Sequence, residues 1–438
     1  MSRAKMANDT WDVTVVGGGA AGMLAALEAA RAGARTLLLE KTVKLGTKIR
    51  ISGGGRCNVT NALDDLRAWE RMFPGNGPFL RHALRSYPPR AFLDLLHGEG
   101  VPTRVEAPYG KIFPDSGKSG DVIDALVRAM RRAGVTLATE TPARDILRDG
   151  AGSVRGLGLD GGAVLPTRSV VWCTGGRSFP KSGSTGDGYP ILRRLGHTVV
   201  PTFPSLVPLR LSGTAPHAGV ALRGIRGRVR LAGQAGPVPW DGDVLWTHFG
   251  LSGPVVLQLS RALAASWVQG ETTGDLLFDL LPGESQEDVL KRLLGTMARE
   301  GGRTVRSLVP ETVPRALVTD LLDAAGVPGD RRLAELGRQE RRRLAETFKG
   351  WAFRPEGWHS FEAAEVTAGG VDVREVDPKT MASRRVPGLY LAGEILDVDG
   401  YVGGYNLQAA WSTGFLAGRA AAVHARACRD GSSSATIR

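Results

Sequence analysis

The segment WDVTVVGGGAAGMLAALEAARAGARTLLLE, residues 11–40, reads as a complete strand–helix–strand unit. WDVTVV is an apolar run of strand length. Gly17-x-Gly19-x-x-Gly22 follows it directly. AAGMLAALEAARAG has helical composition and stops at Gly33, a natural helix C-cap. ARTLLLE is a second strand, ending at Glu40. In such a unit the first glycine permits a tight turn, the second lets backbone approach a pyrophosphate, and the third lets helix and sheet pack closely. The helix N-terminus, at Ala20 and Ala21, turns free N–H groups and partial positive charge toward phosphate. The glycine spacing alone is weak, because many such matches are ordinary turns. Here the strand before it and the acid about 20 residues later exclude most of those. Glu40 stands where a carboxylate binds ribose hydroxyls, which favours FAD or NAD over NADP. Lys41 is grouped with it.

Three further segments carry the same chemistry. LGTKIRISGGGRCNVTN (45–61) brings Lys48 and Arg56 into a glycine-rich loop. Ser52, Gly53, Gly54 and Gly55 let its backbone lie flat against a ligand, and Asn58 closes it. The plain alternative is a flexible surface loop. Cys57 has no partner cysteine, so it is read as a small buried residue rather than a reactive thiol. VVWCTGG is a strand ending at Thr174, Gly175 and Gly176, where backbone can lie under a cofactor; a simple β-turn is as common. In GLYLAGEILDVDGYVGGYNLQAA (388–410) a strand ends at Gly393 and Glu394, where the carboxylate can accept a ribityl hydroxyl. Gly404 then precedes a helix starting near Asn406 and Leu407, whose N-terminus favours negative charge on a reduced flavin.

These blocks, with FPDSGKSGDV, TGGRSFPKSGSTGDGY, THFGLSGPVVLQLSR and EVTAGGVDVREVDPKTMASRRV, resemble the BaiN/YhiN-type flavoproteins, also described as aminoacetone-oxidase-like or NAD(P)/FAD-dependent oxidoreductases. The resemblance spans nearly the whole chain. It implies an α/β fold: a Rossmann-like FAD-binding domain interrupted by an inserted β-barrel and helical domain. It also implies non-covalent FAD, a small-molecule substrate, and reduction of conjugated steroid-like enones or oxidation of amino ketones. One departure is Cys173, where that family has alanine before Thr-Gly-Gly.

Composition outlines the same organisation. Short β-like runs punctuated by glycine and proline occupy 198–284, charged helical segments 285–357, and strands resume at 358. The expected parts are therefore an FAD-binding domain over 1–197 and 358–438 with two inserted subdomains. No second Gly-x-Gly-x-x-Gly follows a later strand, so NAD(P)H is expected only as a transient donor. Three cysteines without a close pair argue against a disulfide or zinc site, and no His/Asp/Glu cluster has metal-ligand spacing. No apolar run approaches a membrane span, and a cytoplasmic location is expected. The net charge of +12 keeps a flavin-dependent RNA-modifying enzyme open as an alternative, although the basic residues are dispersed and nucleic acid is not the expected partner. A low-turnover flavin-bound redox sensor is the other alternative. His248, Tyr189 and Tyr405 are weighed as proton donors, with structural roles the default. Residues 1–9 and 430–438 are expected to be disordered tails.

Overall fold

The computed structural model describes residues 9–231, 238–271 and 274–435. The chain forms two compact units, Met1–Thr202 with Glu365–Arg438, and Phe203–Ala364.

The first unit is built on strand β1 (Trp11–Val16), helix α1 (Ala20–Arg31), strand β2 (Thr36–Leu39), strand β3 (Thr136–Ala138), strand β4 (Val164–Trp172), strand β5 (Leu389–Leu391) and helix α2 (Tyr405–Ala435). Every residue of β1 is buried, as a parallel strand covered on both faces requires. It pairs in parallel with β2 and β4, and β2 with β3. The strand β4 serves two sheets at once. Its first residues close an antiparallel meander with Val154–Leu159, while Val170–Trp172 lie parallel to β5. Thus two strands about 370 residues apart in sequence flank the same stretch of β4.

Helices α1 and α2 pack backbone to backbone. A Cβ on Gly414 would lie 2.4 Å from the Ala21 carbonyl oxygen, and one on Gly418 would lie 2.2 Å from that of Ala25. The small residues bring both helix N-termini to one end of the sheet. The C-terminal tail expected from Asp430 is instead helical to Ala435, as a continuation of α2, which no proline interrupts. Asp9 is placed as well, in an ion pair with Arg35 at 2.6 Å; residues 1–8 and 436–438 lie outside the described residues.

A buried polar knot ties the returning chain to this unit. Glu375 accepts from the Thr198 N–H (2.9 Å), the Thr198 hydroxyl (3.0 Å) and Arg385 (2.8 Å), and faces His197 Nδ1 at 3.0 Å. Burial opposes ionisation, but Arg385 and Thr198 hold the Glu375 carboxyl below the ordinary carboxylate range. Burial pulls His197 below the usual histidine value. A depressed carboxyl contributes stability that is present above its unfolded pKa and lost as pH falls. Glu375→Ala is therefore expected to cost about 3 kcal/mol or more at neutral pH, with the deficit shrinking below about pH 4. Urea melts of both proteins at pH 7 and pH 3 check this.

The second unit holds a seven-stranded sheet in the order Trp351–Phe353, Gly274–Asp279, Ala221–Leu231, Trp240–Thr247, Gly250–Ser252, Leu209–Arg210, Gly357–Trp358. The two outermost strands are joined by only residues 354–356, so the sheet curls until its edges approach, in the manner of a barrel. Within this β-rich stretch lies a 15-residue helix, Pro254–Val268, that the glycine and proline punctuation concealed. Proline at its start suits a first helical turn, and Val255, Val256, Leu259 and Leu263 bury against the sheet. One hydrophobic core runs from the sheet into the helices of 286–349, through Leu293, Leu321, Leu344 and Phe348.

Candidate functional site

The glycine turn after β1 is close to contact everywhere except on one side. Gly17 has φ +105°, and a Cβ there would lie 2.4 Å from the Cys173 carbonyl oxygen. A Cβ on Gly22 would lie 1.8 Å from the carbonyl oxygen of Gly17. A Cβ on Gly19, the N-cap of α1, would meet nothing within 4 Å. The turn is thus packed against protein at Gly17 and Gly22 and open at Gly19. There the first N–H groups of α1, at Ala20 and Ala21, have no helical acceptor.

Glu40 is anchored at both oxygens. Oε2 accepts from the Gly18 N–H and Oε1 from the Thr42 N–H, each at 2.7 Å. Each oxygen retains a further lone pair. Lys41 is engaged elsewhere, with the Thr185 hydroxyl at 2.7 Å and Asp187 at 2.6 Å. Asp187 is thus the ion-pair partner of Lys41.

The loop after Ile51 is shaped by three consecutive left-handed glycines, Gly53, Gly54 and Gly55. Ser52 folds back, its hydroxyl donating to the Ile49 carbonyl at 2.8 Å. Arg56 does not stand free over the site. It donates to both Glu106 oxygens, at 2.9 and 3.0 Å, and lies 4.0 Å from the centroid of the Phe113 ring. Cys57 is fully buried, and burial pushes its thiol up to about 12. Cys173 is buried and raised for the same reason, while Cys428 is exposed. A disulfide reagent is accordingly expected to label one thiol per chain in the native protein and three after denaturation. Asn58 is buried, and its Oδ1 has no hydrogen-bond partner.

Lys48 crosses to the other half of the sequence. Its ammonium donates to Glu394 Oε2 at 2.6 Å and to the Ser178 hydroxyl at 2.5 Å. The other Glu394 oxygen accepts from Ser178 (3.0 Å) and from the Thr367 N–H (2.7 Å). Glu394 is thus a hub rather than a lone acceptor. Ser178 and Thr367 escaped the sequence reading because no local pattern marks them; their only signal was that a carboxylate at a strand end needs donors. Thr174 Oγ1 and Ser184 Oγ are buried without partners. Gly175 has φ +71°, and a Cβ on Gly176 would lie 2.4 Å from Thr367 Oγ1.

Gly393 sits between the two helices. A Cβ there would lie 2.8 Å from that of Ala21, and its N–H donates to Thr413 on α2 at 3.0 Å. Gly404 abuts the loop: its Cβ would lie 2.4 Å from the Thr60 carbonyl oxygen and 2.9 Å from Asn58 Oδ1. α2 begins at Tyr405, one residue before Asn406. The Asn406 side chain is spent on closing the preceding loop, accepting from the Gly400 N–H and donating to its carbonyl, both at 2.8 Å. Leu407 is partly buried in the first turn. The structure therefore brings the glycine turn, Lys48, Asn58, Glu394 and the α2 N-terminus together, while Lys41, Arg56 and Asn406 carry their side chains into other bonds.

The weighed proton donors resolve differently. Tyr405 packs edge-on against Trp69 at 5.1 Å, and Tyr189 is buried with its hydroxyl 3.5 Å from the Glu394 carbonyl. His248 is exposed in the second unit, with its ring against the edge of Phe249 at 5.0 Å. Among the described residues no group of three His, Cys, Asp or Glu could hold a metal, and no helix is long and apolar enough to cross a membrane.

The HI0933-like protein Rossmann-domain family matches residues 11–420. The chain belongs to this family. The HI0933-like chain is 33% identical over 405 residues to the ribosomal RNA dihydrouridine synthase of Escherichia coli K12, covering 92% of this chain and 96% of that one. It is 32% identical over 415 residues to the 3-dehydro-bile acid delta(4,6)-reductase of Clostridium scindens, covering 94% and 98%. The 3-ketosteroid-delta4-(5alpha)-dehydrogenase of Rhodococcus jostii RHA1 shares the fold, with TM-score 0.53, 17% identity, and 94% and 97% coverage. The BaiN/YhiN-type resemblance and the HI0933-like match agree, and the chain is an FAD-dependent oxidoreductase.

Proposed function

We propose that this HI0933-like protein binds FAD non-covalently in its first unit and reduces a carbon–carbon double bond conjugated to a carbonyl group. The donor is NAD(P)H or an organic donor, and oxygen is a competing acceptor. The observation that carries this is the convergence of residues 17–22, 48–58, 393–394 and 404–407 at one end of the sheet, tied by Lys48–Glu394 and by Gly393 against Ala21.

The residues fit that group. Asn58 Oδ1, Thr174 Oγ1 and Ser184 Oγ are buried polar atoms without protein partners. Buried polar groups cost free energy unless something satisfies them, and a polar dinucleotide offers both donors and acceptors. Glu40 would hold the adenosine ribose through its remaining lone pairs, and the open Gly19 edge with the α1 N-terminus would hold the pyrophosphate. Glu394, fixed by Lys48, Ser178 and Thr367, would orient the ribityl chain. The N-terminus of α2 would favour negative charge beside it. FAD, when bound, supplies the two-electron redox chemistry that no side chain here provides.

The relatives support the choice of acceptor. A delta(4,6)-reductase of a 3-dehydro bile acid and a dihydrouridine synthase act on different molecules. Both names nevertheless denote adding two hydrogens across a double bond conjugated to a carbonyl, since uracil is itself such a system. RNA therefore enters the test beside a steroid-like enone. The bound flavin is reduced with NADH or NADPH under anaerobic stopped flow, then mixed with a conjugated ketosteroid, with uridine-bearing ribosomal RNA, or with oxygen. Reoxidation by one of the first two at least about tenfold faster than by oxygen supports the reading and names the substrate class. Reoxidation by oxygen alone, or by nothing, points to the redox-sensor alternative.

A further inference from the structure

Glu365 has no part in the bonds described so far, although its main chain lies among them. Its carbonyl accepts from the Ser178 hydroxyl at 3.3 Å, and two residues on, Thr367 binds Glu394. The side chain is different. Among the described residues, no hydrogen bond or ion pair engages its carboxylate. Water reaches it, yet protein crowds it closely enough that burial pushes its carboxyl above the ordinary carboxylate range, against the opposing charges of Lys111 and Lys48.

Lys111 is its counterpart. It opens the strand Lys111–Pro114, in register with Asn61, whose side chain donates to the Gly403 carbonyl at 2.9 Å. That bond ties the Lys111 strand to the segment entering α2. No carboxylate pairs with the Lys111 ammonium among the described residues; it lies over the Tyr109 ring, 5.5 Å from the centroid. Burial pulls it below the ordinary lysine value, with Glu365 the first of the charges it feels. Lys48, the other cation that Glu365 feels, is already held by Glu394 and Ser178. An acid and an amine that feel each other, neither bonded within the protein, sit beside the two segments assigned to FAD. Crowded ionisable groups without partners cost stability and gather at functional sites.

We propose that Glu365 is the proton donor of the reduction and Lys111 the cation that holds the substrate's carbonyl oxygen. The proposal rests on the reading above. In it the β-carbon of the conjugated system gains a hydride from the reduced flavin, and the carbon–carbon π bond breaks. Its electron pair moves toward the carbonyl, giving an enolate whose oxygen is held by the Lys111 ammonium. The Glu365 O–H bond then breaks as its proton forms the new C–H bond at the α-carbon, and the carbonyl is restored. The substrate gains one hydride and one proton, the flavin is left oxidised, and the Glu365 carboxylate is reprotonated from water.

Glu365→Gln in the FAD-loaded protein tests this. Flavin content and reduction by nicotinamide should match the wild type. Reoxidation by the conjugated acceptor should slow by roughly 100-fold or more, and its high-pH decline, where Glu365 ionises, should vanish. A readout independent of turnover accompanies these. A carboxyl raised in the folded state contributes stability at low pH that is lost as pH rises through its folded value. Glu365→Gln should therefore match the wild-type melting temperature below about pH 4 and exceed it above that, by a margin that grows until Glu365 ionises in the folded protein. A variant that keeps the wild-type acceptor rate and pH profile, or a melting difference that does not change with pH, overturns the assignment while leaving the reading intact. A wild type that no conjugated acceptor reoxidises overturns both.

Discussion

Gly22→Ala is expected to empty the cofactor site. The new methyl group would stand 1.8 Å from the Gly17 carbonyl oxygen, 3.0 Å from its carbonyl carbon and 3.4 Å from Cys173 Cβ. The nearest atoms are backbone, so no side chain can swing aside. Helix α1 is also pinned by α2, whose Gly414 and Gly418 abut the Ala21 and Ala25 carbonyls. Alanine favours a helix over glycine by about 1 kcal/mol, but overpacking of about 1–3 kcal/mol opposes it. The relief must come from the Gly17–Gly19 turn itself, which moves the N–H groups of Ala20 and Ala21 away from the phosphates. Flavin retained through purification should fall at least about tenfold, since each 1.4 kcal/mol lost is a factor of ten in affinity. The ratio of flavin to protein absorbance measures it, and full retention would show that α1 does not approach the pyrophosphate.

Glu40→Ala is expected to have the next largest effect, and a selective one. Two N–H groups, of Gly18 and Thr42, each donate to this carboxylate at 2.7 Å. Bonds to a charged acceptor contribute about 1.5–3 kcal/mol each. Their loss frees the middle of the glycine turn and removes the ribose acceptor together. FAD affinity should drop by roughly 100-fold or more, read by reconstituting apoprotein and following flavin fluorescence. FMN has no adenosine, so its weaker binding should change little. Equal losses for the two flavins would mean that Glu40 only braces the turn.

The parts of this site that could be read beforehand are those where backbone geometry restricts the residue. Gly17 and Gly22 are glycine because carbonyl oxygens occupy the place of a side chain. Glu40 was visible because it ends a strand of countable length. The same reasoning reached Gly393 and Gly404, which are also in close contact. It could not reach Ser178, Thr367 or Glu365, whose neighbours arrive from segments up to about 320 residues away and leave no local pattern. Arg56 and Asn406 mark the opposite limit. Both stand in segments that pack at the site, but Glu106 and Phe113 hold one and the Gly400 backbone holds the other. A charge or amide in a motif says that a polar bond is made there, and only packing says with which partner. In the second unit the helix Pro254–Val268 was hidden for a related reason, since apolar residues on several of its faces blur the helical period.

Heat denaturation of the purified protein, followed by chromatography of what it releases, bears on the FAD site itself. One FAD per chain, released without hydrolysis and absent from Gly22→Ala, is the predicted result. A chain that carries FMN, a covalently attached flavin, or no flavin after reconstitution would contradict it.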